Sequence, residues 1–446
     1  MRERNEEYLI REKPLNAILR FSIPMMIGNL FQQFYTMADS VIVGRFVGEE
    51  ALAAVGSSYA LTSVFIAIAV GGGSGASVIT SRLFGEGKHE SMKESISTNL
   101  ISFLALSILL GIAGFIFSDN IMNALNTPEN IMSDAVTYLR IYFLGLPFLF
   151  MYNILSSVFN SLGNSKTPLF LLIFSSVLNI VLDIIAVTSL SMGVAGAAWA
   201  TLISQALSAV ISFVILLRTL TSFKTAKHVL YSSRTLRETG RIALPSIIQQ
   251  ATINLGMMLV QSVVNGYGSG VLAGYSASIR IDTIATVPLS TIGNAMSPYT
   301  AQNIGARKRQ RIRMGLRSAF LLIAIFSVNT CLILQLFNGK IMSLFLGEEG
   351  TEIAYETGRS YLSYLGWFYG ILGFAMITGG VLKGMGKMTA FTVASIANLS
   401  FRLIGAITLS PVFGVSVIWH IVPIGWSIYF LICLLAYGRE KKRLGL

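Results

Sequence analysis

Long apolar stretches recur along the whole chain, and they limit the folds that it can adopt. A helix that crosses a bilayer needs about 20 predominantly apolar residues. Stretches of that length alternate with short polar connectors, and we count twelve of them. They lie at residues 16–43, 51–78, 96–117, 135–160, 168–188, 194–217, 242–264, 271–300, 315–337, 357–381, 388–409 and 413–437. The pattern predicts an all-α polytopic membrane protein with twelve transmembrane helices.

The composition favours the same class. Hydrophobic residues make up 53% of the chain and charged residues only 12%, and the mean hydropathy is +0.68. A soluble protein would carry roughly 25% charged residues. The net charge of +12 does not indicate a nucleic-acid partner, because most of the 33 basic residues fall in alternate connectors, as the positive-inside rule requires. We therefore expect a multi-pass protein of the bacterial inner membrane with both termini in the cytoplasm.

The two halves of the chain resemble one another at a nearly constant offset. Pro24 aligns with Pro245, and RLFGEGK at 82–88 aligns with QNIGARK at 302–308. The division predicts an N-terminal six-helix lobe at 1–217, a cytoplasmic interlobe linker at 218–241 and a C-terminal six-helix lobe at 242–446. Each lobe has an even number of spans, so we expect a pseudo-two-fold axis along the membrane normal.

Two aspartates lie inside predicted spans of the first lobe. Asp39 is near the outer end of span 1 and Asp183 is past the middle of span 5. A carboxylate at membrane depth costs on the order of 3 kcal/mol and usually marks an ion or substrate path. Asn179 shares a helix face with Asp183, and Thr201 lies at a comparable depth in span 6. These oxygens suit either a small hard cation or an exchangeable proton, although helix–helix hydrogen bonds could instead hold each aspartate.

The second lobe carries a different set of intramembrane charges. Asp282 and Arg280 in span 8 are two residues apart, so they point to different helix faces and either could bond to another span. Arg402 takes the place in the second half that Asp183 holds in the first. The lobes are therefore predicted to differ in the sign of this charge, with a cation site in the first lobe alone.

Residues typical of catalysis are scarce. His89 and His228 fall in connectors and His420 is alone in a span, while Cys331 and Cys433 lie in separate apolar runs. This set provides no metal site, no Ser-His-Asp grouping and no disulfide framework. We expect a protein that is not an enzyme and has no cofactor, so that an ion gradient or a partner must drive any transport.

The most distinctive sequence run of the chain is PMMIGNLFQQFYTMADSVIVGRFVGEEALAAVG at 24–56, which begins in span 1. A second distinctive run is LNIVLD at 178–183, in span 5. With the two sets of six spans, these runs closely resemble the multidrug and toxic compound extrusion (MATE) family of bacterial exporters, in the branch with first-lobe aspartates. The resemblance implies a secondary active antiporter that exports organic cations and other xenobiotics by alternating access, in exchange for inward H⁺ or Na⁺. The other branch has acids in spans 7 and 10, and this chain departs from it.

The resemblance also implies roles for particular residues. The ion-coupling pocket would comprise Asp39, Asn179, Asp183, Thr201 and the backbone of Ala198, with Na⁺ one candidate ion. The substrate cavity would include Gln32, Tyr35, Tyr138 and Asn153. Pro24, early in span 1, favours a kink, which is either a moving bend or a fixed one. We expect a monomer in the lipid bilayer that binds small organic cations.

Two alternatives remain open at this point. One is a lipid-linked oligosaccharide flippase of the related superfamily, whose cavity typically needs several basic residues to hold pyrophosphate. The other is a non-transporting membrane protein, which would leave the buried aspartates unexplained.

Overall fold

The computed structural model describes residues 7–223, 225, 229–347 and 350–445, with the side chains of all of these except 39, 40, 43, 49, 60 and 444. Within these ranges every regular element is a helix. This is the outcome expected of a chain in which each backbone polar group must find a partner within its own segment.

The first half contains nine α-helices and two π-helical segments within the described ranges. They are α1 (Tyr8–Arg11), α2 (Pro14–Ile42) followed by a π-helical segment (Val43–Val47), α3 (Glu49–Ser57), α4 (Tyr59–Gly85), α5 (His89–Ile116), α6 (Ser118–Ala124), α7 (Glu129–Ser161), α8 (Lys166–Ile184) followed by a second π-helical segment (Ile185–Ser189), and α9 (Gly193–Ser222).

The second half contains eight α-helices within the described ranges. They are α10 (Ser233–Asn265), α11 (Ser269–Gly305), α12 (Arg309–Leu346), α13 (Glu352–Gly366), α14 (Tyr369–Gly384), α15 (Met388–Phe413), α16 (Val417–His420) and α17 (Val422–Leu444).

The helices account for the twelve predicted stretches. In the described part of the chain, nine helices are long and apolar enough to cross a membrane, and the bent pair α13–α14 makes a tenth. Helices α2 and α11 cover the two remaining stretches, with 29 and 37 residues, but they are more polar than the others. The prediction of an all-α polytopic membrane protein is therefore confirmed.

Three predicted spans are interrupted. Ser58 separates α3 from α4, α13 meets α14 at an angle of 57°, and Ile421 separates α16 from α17. Hydropathy averaged over a whole span does not reveal these breaks, because each is only one or two residues long. The bend between α13 and α14 brings the buried Tyr369, at the start of α14, beside helix α11.

The chain packs into two compact units. The first unit contains residues 23–247, and the second contains residues 8–22 and 248–445. Helices α2 and α10 therefore each contribute residues to both units. In each helix the boundary between the units lies within three residues of a proline, Pro24 in α2 and Pro245 in α10. The lobe boundaries at 217 and 242 are defined by sequence symmetry rather than by packing, and they stay a prediction.

In the first unit, aromatic side chains pack against glycines of neighbouring helices. A Cβ at Gly72 on α4 would lie 2.1 Å from the ring of Phe103, and one at Gly114 on α5 would lie 2.2 Å from the ring of Phe143. Both rings belong to the buried core of this unit. Small residues allow helices to approach closely in a membrane protein, and here they fix α5 against α4 and α7.

Candidate functional site

The candidate ion site begins on α8, a largely apolar helix that carries Asn179 and Asp183 near its end. Asn179 and Asp183 lie one turn apart, with 1% and 0% of their surfaces exposed. Asp183 also forms a hydrogen bond or an electrostatic interaction with another group of the protein. A fully buried carboxylate is stable only when nearby groups or an ion compensate its desolvation, so this turn of α8 is suited to bind a cation or a proton.

An amide–hydroxyl contact joins α8 to α9. Nδ2 of Asn179 donates to Oγ1 of Thr201 at 3.4 Å, and Thr201 donates its own hydroxyl to the carbonyl oxygen of Ala197 at 3.0 Å. Oδ1 of Asn179 is buried and receives no hydrogen bond from the described residues. That oxygen is therefore available to a donor or a cation.

A small cavity adjoins this contact. It lies between α7 and α9 and has a volume of about 30 Å³, and its lining includes Tyr138, Ala198, Thr201 and Gln205. A cavity of this size holds a single water molecule or a small ion, provided that it has polar partners. Three residues predicted from the sequence, Tyr138, Ala198 and Thr201, therefore line one small space, whose other walls are mostly apolar.

The other predicted first-lobe residues are more dispersed. The side chain of Asp39 lies outside the described residues. Gln32 and Tyr35 on α2 are half-buried, and α2 contacts α8 at Gly28, where an added Cβ would meet two leucine side chains at 3.6 Å. Asn153 donates to the carbonyl oxygen of Leu149 in its own helix at 2.8 Å and does not line the small cavity.

The two acidic helices share a feature that the sequence pattern does not reveal. Asp39 and Asp183 each lie shortly before a π-helical segment, at Val43–Val47 and Ile185–Ser189, and these two segments contact each other. π-Helical turns in α-helices occur frequently at functional sites, because they displace the regular hydrogen-bond pattern. No residue type in either run marks the change of helical period.

The second unit places its predicted charges differently. The hydroxyl of Tyr369 on α14 donates to Oδ1 of Asp282 at 2.6 Å, so Asp282 joins two helices. Arg280, two residues earlier, is exposed. Arg402 interacts electrostatically with Asp282 and lines a cavity of about 290 Å³ in the interior of this unit. Lys383 also lines this cavity, although it falls in the connector between the predicted spans 357–381 and 388–409.

Comparison with known proteins identifies the family. The sequence profile of the MatE family matches the chain twice, at residues 24–185 and 245–408. The chain belongs to the MatE family. Two matches of one profile agree with the duplication inferred from the sequence offset.

Curated relatives of this MatE protein carry the names of drug exporters. The chain is similar to the probable multidrug resistance protein YpnP of Bacillus subtilis, with 30% identity over 86% of this chain and 85% of that protein. It is also similar to the multidrug export protein MepA of Staphylococcus haemolyticus, with 23% identity over 99% of this chain and 97% of that protein. The chain is thus a multi-pass transporter of a multidrug efflux family, and it is not an enzyme.

The fold agrees with this membership. The structure matches a crystal structure described as MATE in complex with MaL6, with a TM-score of 0.91, 25% identity and 98% coverage of both chains. The resemblance to the MATE family that the run at 24–56 suggested is confirmed.

Proposed function

We propose that this MatE protein is a secondary active antiporter that exports organic cations in exchange for inward H⁺ or Na⁺. The observation that carries the proposal is the buried pair Asn179 and Asp183, with the half-buried Thr201 bonded to Asn179 beside a cavity of about 30 Å³. An acid at membrane depth is expensive and normally serves an ion path. The names of the relatives support drug-like molecules as the exported substrates.

In this mechanism Asp39 and Asp183 supply the negative charge of the coupling site. Asn179, Thr201 and the carbonyl oxygen of Ala198 supply neutral oxygens, which are the ligands that a hard cation prefers. Binding of Na⁺ or H⁺ removes the charge that otherwise attracts an organic cation to the same unit. Inward movement of the ion and outward movement of the drug are therefore alternatives at one electrostatic site.

The substrate cavity of the proposal is lined by Gln32, Tyr35, Tyr138 and Asn153. Gln32 and Tyr35 on α2, and Tyr138 beside the small cavity, are half-buried. They combine hydrogen-bonding groups with aromatic rings. An aromatic face attracts an organic cation by about 0.5–2 kcal/mol, depending on its desolvation. Bending of α2 near Pro24 would alternate the exposure of this cavity in a monomer with both termini in the cytoplasm.

The test is transport of rhodamine 6G, a fluorescent cation, in liposomes that carry the purified protein. A pH gradient and a Na⁺ gradient are imposed separately to identify the coupling ion. Asp183→Asn and Asp39→Asn are expected to abolish gradient-driven transport. Asp134→Asn removes a carboxylate from an exposed position on α7 and serves as the matched control. Transport by Asp183→Asn at the rate of the unmodified protein would exclude the proposed coupling site.

A further inference from the structure

The interior cavity of the second unit has a composition opposite to that of the first-unit site. Five helices, α10, α11, α14, α15 and α17, enclose its volume of about 290 Å³. Among the described residues that line it there are two cationic side chains, Lys383 and Arg402, and no Asp or Glu. We propose that this cavity binds an elongated amphipathic organic anion that carries a carboxylate, phosphate or sulfonate group.

The shape of the cavity follows from its lining on α15. Phe391, Ser395, Asn398 and Arg402 recur at intervals of three or four residues, so they form one stripe along the helix. The stripe covers eleven residue steps, which correspond to about 16 Å of helix. The cavity is therefore long in the direction of α15, with a volume close to the lower end, about 300 Å³, of typical ligand pockets.

The two cations lie towards opposite ends of this space. Lys383 is the penultimate residue of α14, and a short turn leads from this end into α15. Lys383 is therefore close to Phe391, near the start of α15. It is far from Arg402 along the axis of that helix. Neither Lys383 nor Arg402 forms an ion pair with any described residue. A charge that is desolvated without such a partner costs several kcal/mol, and an anion in the cavity would offset this cost.

Buried polar atoms beside Arg402 also lack partners. Nε of Arg402 and Oδ1 of Asn398 are buried and form no hydrogen bond with the described residues. Gly425 on α17 packs directly against both side chains, since an added Cβ would lie 2.3 Å from Oδ1 of Asn398 and 3.0 Å from Cγ of Arg402. The two side chains are thus held in place against α17. The unpaired Nε–H of Arg402 is a donor preorganised for an anion, whereas the oxygen of Asn398 is an acceptor and does not contribute to anion binding.

Asp282 does not neutralise the cavity. Its carboxylate attracts Arg402, but Asp282 is not among the lining residues and its Oδ1 already accepts the hydroxyl of Tyr369. Lys383 has no acidic neighbour of this kind in the described ranges. The field inside the cavity is therefore positive, and it selects anions over the organic cations of the proposed efflux function.

The remaining walls suit an aromatic or aliphatic body. Phe391 and Tyr429 form an edge-on pair with ring centroids 5.9 Å apart, and the buried Trp426 lies on the same side. Ile253 and Met376 provide further apolar surface in the lining. Flat rings bind well against such walls, and thus the ligand combines an apolar body with an acidic end.

The experiment compares two dyes with one ring system and opposite charge. Binding of fluorescein, a xanthene dianion at pH 8, and of rhodamine 6G, a xanthene cation, is measured by fluorescence anisotropy with the full chain in lipid nanodiscs and no ion gradient. We expect fluorescein to bind, and Lys383→Gln and Arg402→Gln each to weaken its affinity by at least about tenfold. Arg317→Gln, an exposed position outside the cavity, is the control for overall charge.

Charge-retaining variants separate recognition from folding. Arg402→Lys and Lys383→Arg are expected to bind fluorescein within about threefold of the unmodified protein. Equal affinity for fluorescein in the unmodified protein and both glutamine variants would overturn the proposal, as would binding no stronger than to empty nanodiscs. Because no gradient is applied and the variants lie outside the first unit, the result is independent of whether the first unit couples ions to export.

Discussion

Nδ2 of Asn179 donates to Oγ1 of Thr201 across 3.4 Å and so joins helix α8 to α9 beside the small cavity of the first unit. Thr201→Val keeps the side-chain volume and removes the hydroxyl. Loss of one hydrogen bond or ligand of this kind costs about 1 kcal/mol, which corresponds to about a fivefold weaker ion affinity. The measurement is the ion concentration for half-maximal transport in liposomes.

Thr137→Val is the matched control for that substitution. Thr137 is exposed, and its hydroxyl donates only to the carbonyl oxygen of Ser133 in the same helix among the described groups. We expect its half-maximal ion concentration to be unchanged. Equal shifts in the two variants would mean that the hydroxyl of Thr201 has no special role.

Tyr369→Phe removes the hydroxyl that donates to Asp282. Tyr369 has no exposed surface, so the carboxylate of Asp282 would lose a short donor inside the second unit. Leaving a buried acceptor without its donor costs about 1–3 kcal/mol. We expect a lower midpoint of unfolding in detergent. Tyr355→Phe is the control, since it loses a 2.7 Å hydrogen bond to the carbonyl oxygen of Gly347 near a loop. It should change the midpoint of unfolding much less. Similar losses in both variants would contradict a special role for the bond between Tyr369 and Asp282.

Gly380→Ala tests the close contact of α14 with α11. An added Cβ would lie 1.9 Å from the carbonyl oxygen of Gly293, which is a backbone atom and cannot move without shifting its helix. Overpacking of this kind costs typically about 1–3 kcal/mol. Gly438→Ala on α17 meets no atom within 4 Å and should stabilise the helix by up to about 1 kcal/mol. The unfolding midpoint should therefore fall in Gly380→Ala and rise in Gly438→Ala. A higher midpoint for Gly380→Ala would show that α14 and α11 are not closely packed at this position.

Pro24→Ala tests the proposed bending of α2. The helix runs from Pro14 to Ile42 through Pro24, which leaves one backbone carbonyl without its helical donor. Alanine restores that bond and stiffens the helix where it passes from one unit to the other. We expect transport turnover to fall by about tenfold, the effect of about 1.4 kcal/mol on a limiting conformational step. Pro411→Ala, in the last turn of α15, should leave turnover unchanged.

The positions of the helices followed closely from the hydropathy pattern. Each predicted stretch contains a helix, and the helices extend beyond the apolar residues at several ends, as α10 does from 242 back to Ser233. Those extensions are polar turns, which hydropathy excludes although their backbone remains helical. The 57° bend between α13 and α14 was not predicted, because it falls at Trp367 and Phe368 within a continuous apolar run.

The first-unit site was predictable in part. The spacing of Asn179 and Asp183 placed them on one helix face, and burial of both agrees with that reasoning. Their relation to Asp39 stays a prediction. The second-unit cavity was not anticipated, because Lys383 lies at the edge of an apolar run and resembles an ordinary connector lysine in the sequence.

The sequence by itself determined that this chain is a helical membrane protein of the MatE family with a duplicated architecture, because the length and polarity of each segment are local properties. Only the tertiary structure decided which polar groups meet. Thr201 reaches Asn179, and Lys383 shares a cavity with Arg402, because the packing of neighbouring helices sets which of their faces meet. That packing depends on the shapes of many side chains together, so no single segment encodes it.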